Sequence, residues 1–311
     1  MQHRVISLIA SATEIVAALG YEDALVGRSH ECDFPPTVDR LPVCSEPRID
    51  VSGTSLEIDI AVKSAVQEVL SVYSVFKDEL ERLEPTLIVT QTQCEVCAVN
   101  LKDVEAAVCE LVNSNPQIVS CEPMALPDVW VDIKNVAIAL GDPAAADRLN
   151  HELQQRLEGI RSEYEKVEQP PTIACIEWLE PIMIAGNWVP ELVRIAGGHA
   201  VMAEDGKHSP YQSWDDLVEI DPDVIAIMPC GFDIARTVKE INLLTDHPRW
   251  NELSAVKNRR VYLTDGNQYF NRPGPRVVES AEILVELLHQ GVEPKHHGTG
   301  WIHIDEINQG D

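Results

Sequence analysis

Basic side chains are scarce in this chain: 24 Lys and Arg stand against 51 Asp and Glu, a formal charge of −27 at neutral pH. A surface so short of cations is poorly equipped to neutralise phosphates or anionic lipid, so no nucleic-acid partner is expected and the acidity reads as a solubility trait. Long hydrophobic runs are lacking too. The apolar opening stretch, Val5 to Leu19, is broken by Glu14 and falls short of the ~20 residues that span a bilayer. No small-residue cleavage pattern closes it, so it is expected to be mature structure with no membrane insertion. No phosphate-binding loop, dinucleotide-binding glycine turn or nucleophile-triad spacing stands out, and Gly197-Gly198 reads as the C-cap of a helix. Aromatic residues make up only 5% of 311 positions, while 45% are hydrophobic and 24% charged, which suits a globular chain long enough for two lobes.

Short β-branched runs alternate with longer helical patterns, the signature of βαβ units, so the fold class is α/β with parallel sheets. In the first part strands are predicted at Val5 to Ile9, Ala24 to Gly27, Thr86 to Thr90 and Gln117 to Ser120. Helices are predicted over Ala12 to Leu19, Ile58 to Ser71, Lys77 to Leu83 and Leu101 to Asn113. From Thr172 the pattern restarts, with strands at Ile173 to Trp178, Val224 to Met228 and Arg260 to Thr264. Between the halves, Pro143 to Val167 carries Arg148, Glu152, Arg156, Glu158, Arg161 and Glu165, a charge series that supports a helix of roughly 22 residues, about 33 Å long, through i,i+4 pairs. Pro170-Pro171 stops it. The expected organisation is an N-terminal lobe over 1–142, a rigid helical strut over 143–169, a C-terminal lobe over 170–290 and an irregular extension over 291–311 whose His296-His297 pair reads as surface.

Ligands of open parallel sheets collect at the carboxyl ends of the strands. The loops placed there carry Ser11 to Glu14, Ser29 to Asp33, Gln91 to Cys97 and Cys121 in the first half, and Cys175 to Pro181, Cys230 to Phe232 and Asp265 to Pro273 in the second. Cys94 and Cys97 form a C-x-x-C pair behind a strand. With His30 and Cys32 they have the ligand types of a tetrahedral zinc site or an iron-sulfur cluster, though simple packing or loop bracing fits the same spacing. A metal- or cluster-dependent redox enzyme is the function class that set would support. Eight cysteines with a C-x-x-C suit a reducing compartment, and cytoplasm is the expected location. Three of the six Trp, Trp178, Trp188 and Trp214, share the second half with Tyr211, Phe232, Tyr269 and Phe270, a grouping that suits an apolar pocket for a large flat ligand. Arg272, in a Pro- and Gly-rich turn, reads as a loop cap or a partner for a ligand carboxylate.

Arg4 to Glu14, Leu25 to Ser29 and Cys32-Asp33-Phe34-Pro35, followed by Trp188 to Leu192, Ala196-Gly197-Gly198, Ser213 to Leu217, Asp221 to Ile225 and Val261-Tyr262, resemble the vitamin B12-binding substrate-binding proteins of ABC uptake systems over roughly residues 4 to 290. The resemblance implies two α/β lobes joined by a rigid backbone helix, with a small-molecule ligand in the cleft between them: cobalamin, a related corrinoid or another metal-bearing molecule. No leader or lipobox is expected from the residues read, so an ABC permease is not the expected partner, and an exported transporter component is the alternative. Loop position and chemistry select Ser11, His30, Gln93, Trp178, Trp188, Tyr211, Phe232 and Asn271 as ligand contacts.

Overall fold

The structure is a computed structural model that describes residues 3–67, 72–91, 101–109, 111, 114–164 and 167–309. It divides into two compact units: Met1–Gly53, Glu57–Pro123 and Pro127–Leu153 form the first, and Thr54–Leu56, Met124–Leu126 and Gln154–Asp311 the second.

In the first unit β1 (Val5–Ser7), β2 (Leu25–Arg28), β5 (Leu87–Gln91) and β6 (Gln117–Cys121) form a wholly parallel sheet in the order β2-β1-β5-β6. Every residue of β1 and β5 is buried, as expected of central strands covered on both faces. Helices α1 (Ala10–Val16), α2 (Ser55–Gln67), α3 (Lys77–Leu83), α4 (Leu101–Cys109) and α5 (Leu126–Ala139) follow in chain order, with Ser55 and Leu56 of α2 and Leu126 of α5 counted in the second unit. The core gathers Ile6, Leu8, Leu80, Leu83, Ile88 and Val104. Gly27 is glycine because a Cβ there would stand 2.7 Å from Cys44 Sγ and 2.9 Å from Leu83 Cδ1. α3 has the predicted bounds, and its charges explain it: Asp78 and Glu79 sit in the first turn and Arg82 in the last, each complementing the helix dipole. An antiparallel pair, β3 (Ser45–Pro47) and β4 (Tyr73–Val75), was not expected.

The predicted strut is α6 (Pro143–Tyr164), 22 residues long. Among the described residues its charged side chains make pairings other than i,i+4. Arg156 reaches Glu279 (3.4 Å) and Glu282 (2.9 Å) on α12 (Val277–Leu288), Arg161 pairs with Glu158 three residues away, and Arg148 meets Asp142 at 3.8 Å. Tertiary carboxylates beside a packed helix compete with those along it.

In the second unit β7 (Thr172–Trp178), β10 (Val224–Ile227) and β11 (Val261–Thr264) are the parallel centre, with β9 (His199–Ala200) also parallel to β7. Two antiparallel strands flank them: β8 (Met183–Ile184) beside β7 and β12 (Trp301–His303) beside β11. Five short helices, α7 (Val189–Ile195), α8 (Trp214–Ile220), α9 (Ile234–Val238), α10 (Asn242–Thr245) and α11 (Ser254–Lys257), precede α12. A capping box starts α8, where Ser213 Oγ accepts the Asp216 N–H while the Asp216 carboxylate accepts the Ser213 N–H.

The C-terminal segment differs from the irregular extension predicted. β12 zips onto β11, with Tyr262 opposite His303 and Thr264 opposite Trp301. The Glu286 carboxylate accepts the Lys295 and His296 backbone N–H groups and the Trp301 indole N–H. His296 and His297 are paired, with Glu282 (3.1 Å) and Glu306 (3.0 Å).

Candidate functional site

At the carboxyl edge of the first sheet, the turn after β1 runs directly into α1. Ser11 lies on that helix, 2% exposed, among the buried polar residues Thr13 and Glu14. The loop after β2 holds Ser29 to Cys32. Cys32 is fully buried; Thr13 Oγ1 donates to its sulfur at 3.0 Å, and Ser29 Oγ lies 3.2 Å away. Burial pushes this thiol's pKa up, against the pull of the two hydroxyls. His30 is partly exposed. Its Nδ1 lies 3.2 Å from Ser45 Oγ on β3, its ring tilts against Tyr73 on β4 at 5.2 Å, and Nε2 is 3.7 Å from Glu31 Oε1. Burial, helped by Arg28, lowers its pKa, so the imidazole is neutral at pH 7.

Gln93, Cys94 and Cys97 lie outside the described residues. Of the four expected metal ligands the structure therefore places only His30 and Cys32. Among the described residues no group of three or more His, Cys, Asp or Glu side chains is arranged to hold a metal ion. Cys121 ends β6 in a buried position. Nearby on α5, Asp132 accepts the Glu122 N–H at 3.2 Å, and burial raises its carboxyl to about 7. No sequence signal marked Asp132, an acid within an amphipathic helix.

The second unit presents aromatic and polar groups at its own carboxyl edge. Trp178, the last residue of β7, is half-buried and donates its indole N–H to the Ser55 carbonyl at 3.1 Å. Phe232, in the loop after β10, packs on it with centroids 5.2 Å apart, and the Arg236 guanidinium covers the other ring at 4.2 Å. Glu240, buried, pairs with Arg236 and accepts the Ser55 N–H at 2.7 Å. The structure thus brings Trp178 and Phe232 together.

Trp188 and Tyr211 are placed differently. Trp188 is 5% exposed and its indole N–H goes to the Phe270 carbonyl at 2.7 Å, a bracing role inside the unit; Tyr211 is half exposed. Asn271 spends its side-chain amide on the carbonyls of Met228 (3.1 Å) and Gly266 (2.9 Å), which joins the loops after β10 and β11. Those loops run so close that a Cβ on Gly266 would lie 2.1 Å from the Pro229 carbonyl oxygen.

The loop Asp265 to Pro273, placed at this edge by the sequence, carries a polar cluster whose individual contacts were not expected. Asp265 accepts the N–H groups of Asn267 and Gln268, and burial raises its pKa. Arg272 donates to Asn267 Oδ1 at 3.0 Å, while Arg276 donates to Gln268 Oε1 at 3.1 Å and lies over Tyr269 at 5.3 Å. Both arginines are less than 10% exposed. The rigid turn at Arg272 was a visible signal; Arg276, at the head of a helix, gave none.

The arrangement as a whole suits binding. Parallel-sheet edges carry aromatic and polar groups fixed by internal hydrogen bonds, and no described helix is long and apolar enough to cross a membrane. The sequence profile of a family described as periplasmic binding protein matches residues 5–268. A vitamin B12-binding protein of Vibrio vulnificus (strain CMCP6) is 24% identical over 284 residues, 91% of this chain and 89% of that one. The periplasmic vitamin B12 binding protein BtuF of Vibrio cholerae superposes with a TM-score of 0.64 at 23% identity, covering 92% of this chain and 96% of its own. The periplasmic heme-binding protein RhuT of Roseiflexus sp. RS-1 gives 0.68 at 20% identity, covering 93% and 100%. At these identities the structural likeness speaks for the fold, and with the profile match across most of its length the chain belongs to the periplasmic binding protein family.

Proposed function

We propose that this protein binds a metal-bearing tetrapyrrole, a corrinoid such as cobalamin or a heme-like macrocycle, at the carboxyl edge of the second unit's parallel sheet. The observation that carries the reading is the Trp178 platform. A flat indole stands partly exposed at the end of β7, backed by Phe232 and locked by the bond to Ser55, a surface suited to the apolar face of a large planar ligand. The relatives named for vitamin B12 and heme support the same chemical class.

Titration of the purified protein with cyanocobalamin and with hemin, followed by quenching of tryptophan fluorescence and by calorimetry, tests it. Saturable one-to-one binding of either is the expected result; no heat and no quenching with both would overturn the reading.

We propose a cytoplasmic location, which the several buried thiols Cys32, Cys44, Cys121 and Cys175 would suit in a reducing compartment. The solved relatives described as periplasmic favour a second reading, an exported component that delivers its ligand to an ABC permease. Fractionation of native cells separates the two, since a periplasmic pool is compatible only with the second.

A further inference from the structure

The closing segment of the chain, 291–311, lies beyond the residues the family profile matches, yet it is bonded directly to the binding edge of the second unit. Trp301 pairs with Thr264, the last residue of β11. The Gly300 carbonyl accepts the N–H of Asp265, the first residue of the loop after β11, at 2.9 Å. From there the bonding is continuous. The Asp265 carboxylate accepts the Asn267 N–H, the same N–H reaches the Phe232 carbonyl at 3.0 Å, and Phe232 backs the Trp178 indole. Asn267 and Gln268 in turn receive Arg272 and Arg276.

His296 stands at the other end of this path. Its carbonyl accepts the N–H groups of Thr299 (3.2 Å) and Gly300 (2.7 Å), which closes the turn that presents Gly300 to Asp265. Its Nε2 lies 3.1 Å from Glu282 on α12, and its ring stands edge-on to Tyr269 with centroids 6.3 Å apart. Negative charge dominates around that ring. α12 contributes Glu279, Glu282 and Glu286, α6 contributes Arg156 paired with Glu279 and Glu282, and the loop after β11 contributes Tyr269 with Arg276 over it. Within the segment itself His297 turns to Glu306. Glu279 Oε2 is buried with no hydrogen-bond partner among the described residues, so a nearby positive charge matters to it.

We infer that His296 is a positioning residue for the macrocycle: its ring fastens the closing segment to α12, and that segment holds the loop after β11, and with it the Phe232–Trp178 platform, in binding shape. The assignment rests on the tetrapyrrole reading, and it makes binding respond to pH. The Glu282 bond, joined by the neighbouring carboxylates, raises the His296 pKa against the effect of burial. The ring is therefore charged in mild acid, where the segment is held most firmly. As pH rises through the folded value, the Glu282 bond loses its charge assistance and the carboxylates of α12 have one cation fewer among them. The segment then holds the loop less firmly, and the platform that the loop supports fits the ligand less well. By linkage, bound ligand favours the protonated ring in the same measure.

Calorimetric titrations of the full chain with cyanocobalamin and with hemin, at about pH 5.5 and about pH 8, test this. For whichever probe binds, wild-type affinity should fall by about fivefold or more between the two. His296→Gln, which keeps a hydrogen-bonding side chain without the titratable charge, should show the lower affinity at both. His296→Lys, which stays cationic, should keep the higher affinity at both, a rescue that a folding defect would not allow. Wild-type titrations near neutral pH in buffers of differing ionisation enthalpy should show proton uptake on binding, absent from His296→Gln. Wild-type affinity that is flat or rises with pH, binding without proton uptake, or a pH profile that His296→Gln shares overturns the assignment and leaves the tetrapyrrole reading standing. Failure of the wild type to bind either probe at either pH overturns that reading and the assignment with it.

Discussion

Trp301 donates its indole N–H to the Glu286 carboxylate at 2.6 Å, and this bond pins the C-terminal strand to α12. The same carboxylate accepts two backbone N–H groups from Lys295 and His296. Glu286→Ala should therefore release β12 and lower stability by about 2 kcal/mol, the range of charge-assisted bonds in a half-buried setting. Thermal denaturation measures the loss. Rapid hydrogen exchange confined to residues 295–303 and the facing strand β11 would show that the segment, and not the whole unit, had come loose.

The neighbouring His296–Glu282 pair makes the anchoring depend on pH. The hydrogen bond to Glu282 raises the His296 pKa above its ordinary 6.5, and the same bond lowers that of Glu282 below 4.5. A raised histidine stabilises fully below its unfolded value, and that contribution is lost as pH rises through the folded one. A depressed carboxylate stabilises above its unfolded value and loses that contribution as pH falls through the folded one. The difference in Tm between the wild type and His296→Gln should be greatest near pH 5 to 6 and shrink as pH rises past 7. A difference that grew with pH would contradict the pairing.

The two tryptophans beside the second edge should separate cleanly. Trp188→Phe leaves the buried Phe270 carbonyl without its donor, a cost of about 1–3 kcal/mol in stability, and should leave ligand affinity alone. Trp178→Ala should do the reverse, weakening binding of the macrocycle by about tenfold with a smaller loss of stability. Calorimetric titration set beside denaturant melts distinguishes them.

Gly266→Ala should damage both properties together. The added Cβ would meet the Pro229 oxygen at 2.1 Å, and backbone on both sides leaves no flexible side chain to yield. A loss of about 1–3 kcal/mol is expected from overpacking at such a site, together with weaker binding because the loops after β10 and β11 must part.

The sequence displays the central strands and the strut clearly, because each signal is local. A run such as Leu87 to Val89 is continuously apolar, α3 keeps its acidic first turn and basic last turn, and the 22 residues of α6 end before a double proline. Edge strands are hidden for the opposite reason. β8 and β9 have two residues each and β3 contains Pro47, so their existence depends on partners distant in the chain. The site divides in the same way. Topology alone points to the positions of His30, Trp178 and Phe232, since Trp178 ends a recognisable strand and the other two follow one. Trp188 groups by sequence with the other aromatics of the second half, and only the carbonyl that receives its N–H reveals its bracing role. Arg276 and Asp265 owe their surroundings to a turn whose shape is set by Ser280, which accepts the Phe270 N–H at 3.0 Å.

Asn271, whose one amide group holds the loops after β10 and β11 to each other, bears on how fast a ligand exchanges as well as on the shape of the edge. Loops tied during folding have no ordering left to undergo when a macrocycle arrives, so that entropic penalty is absent from association. Ligands that differ in affinity should then share nearly the same arrival rate and differ in residence time, with Asn271→Ala slowing arrival for all of them.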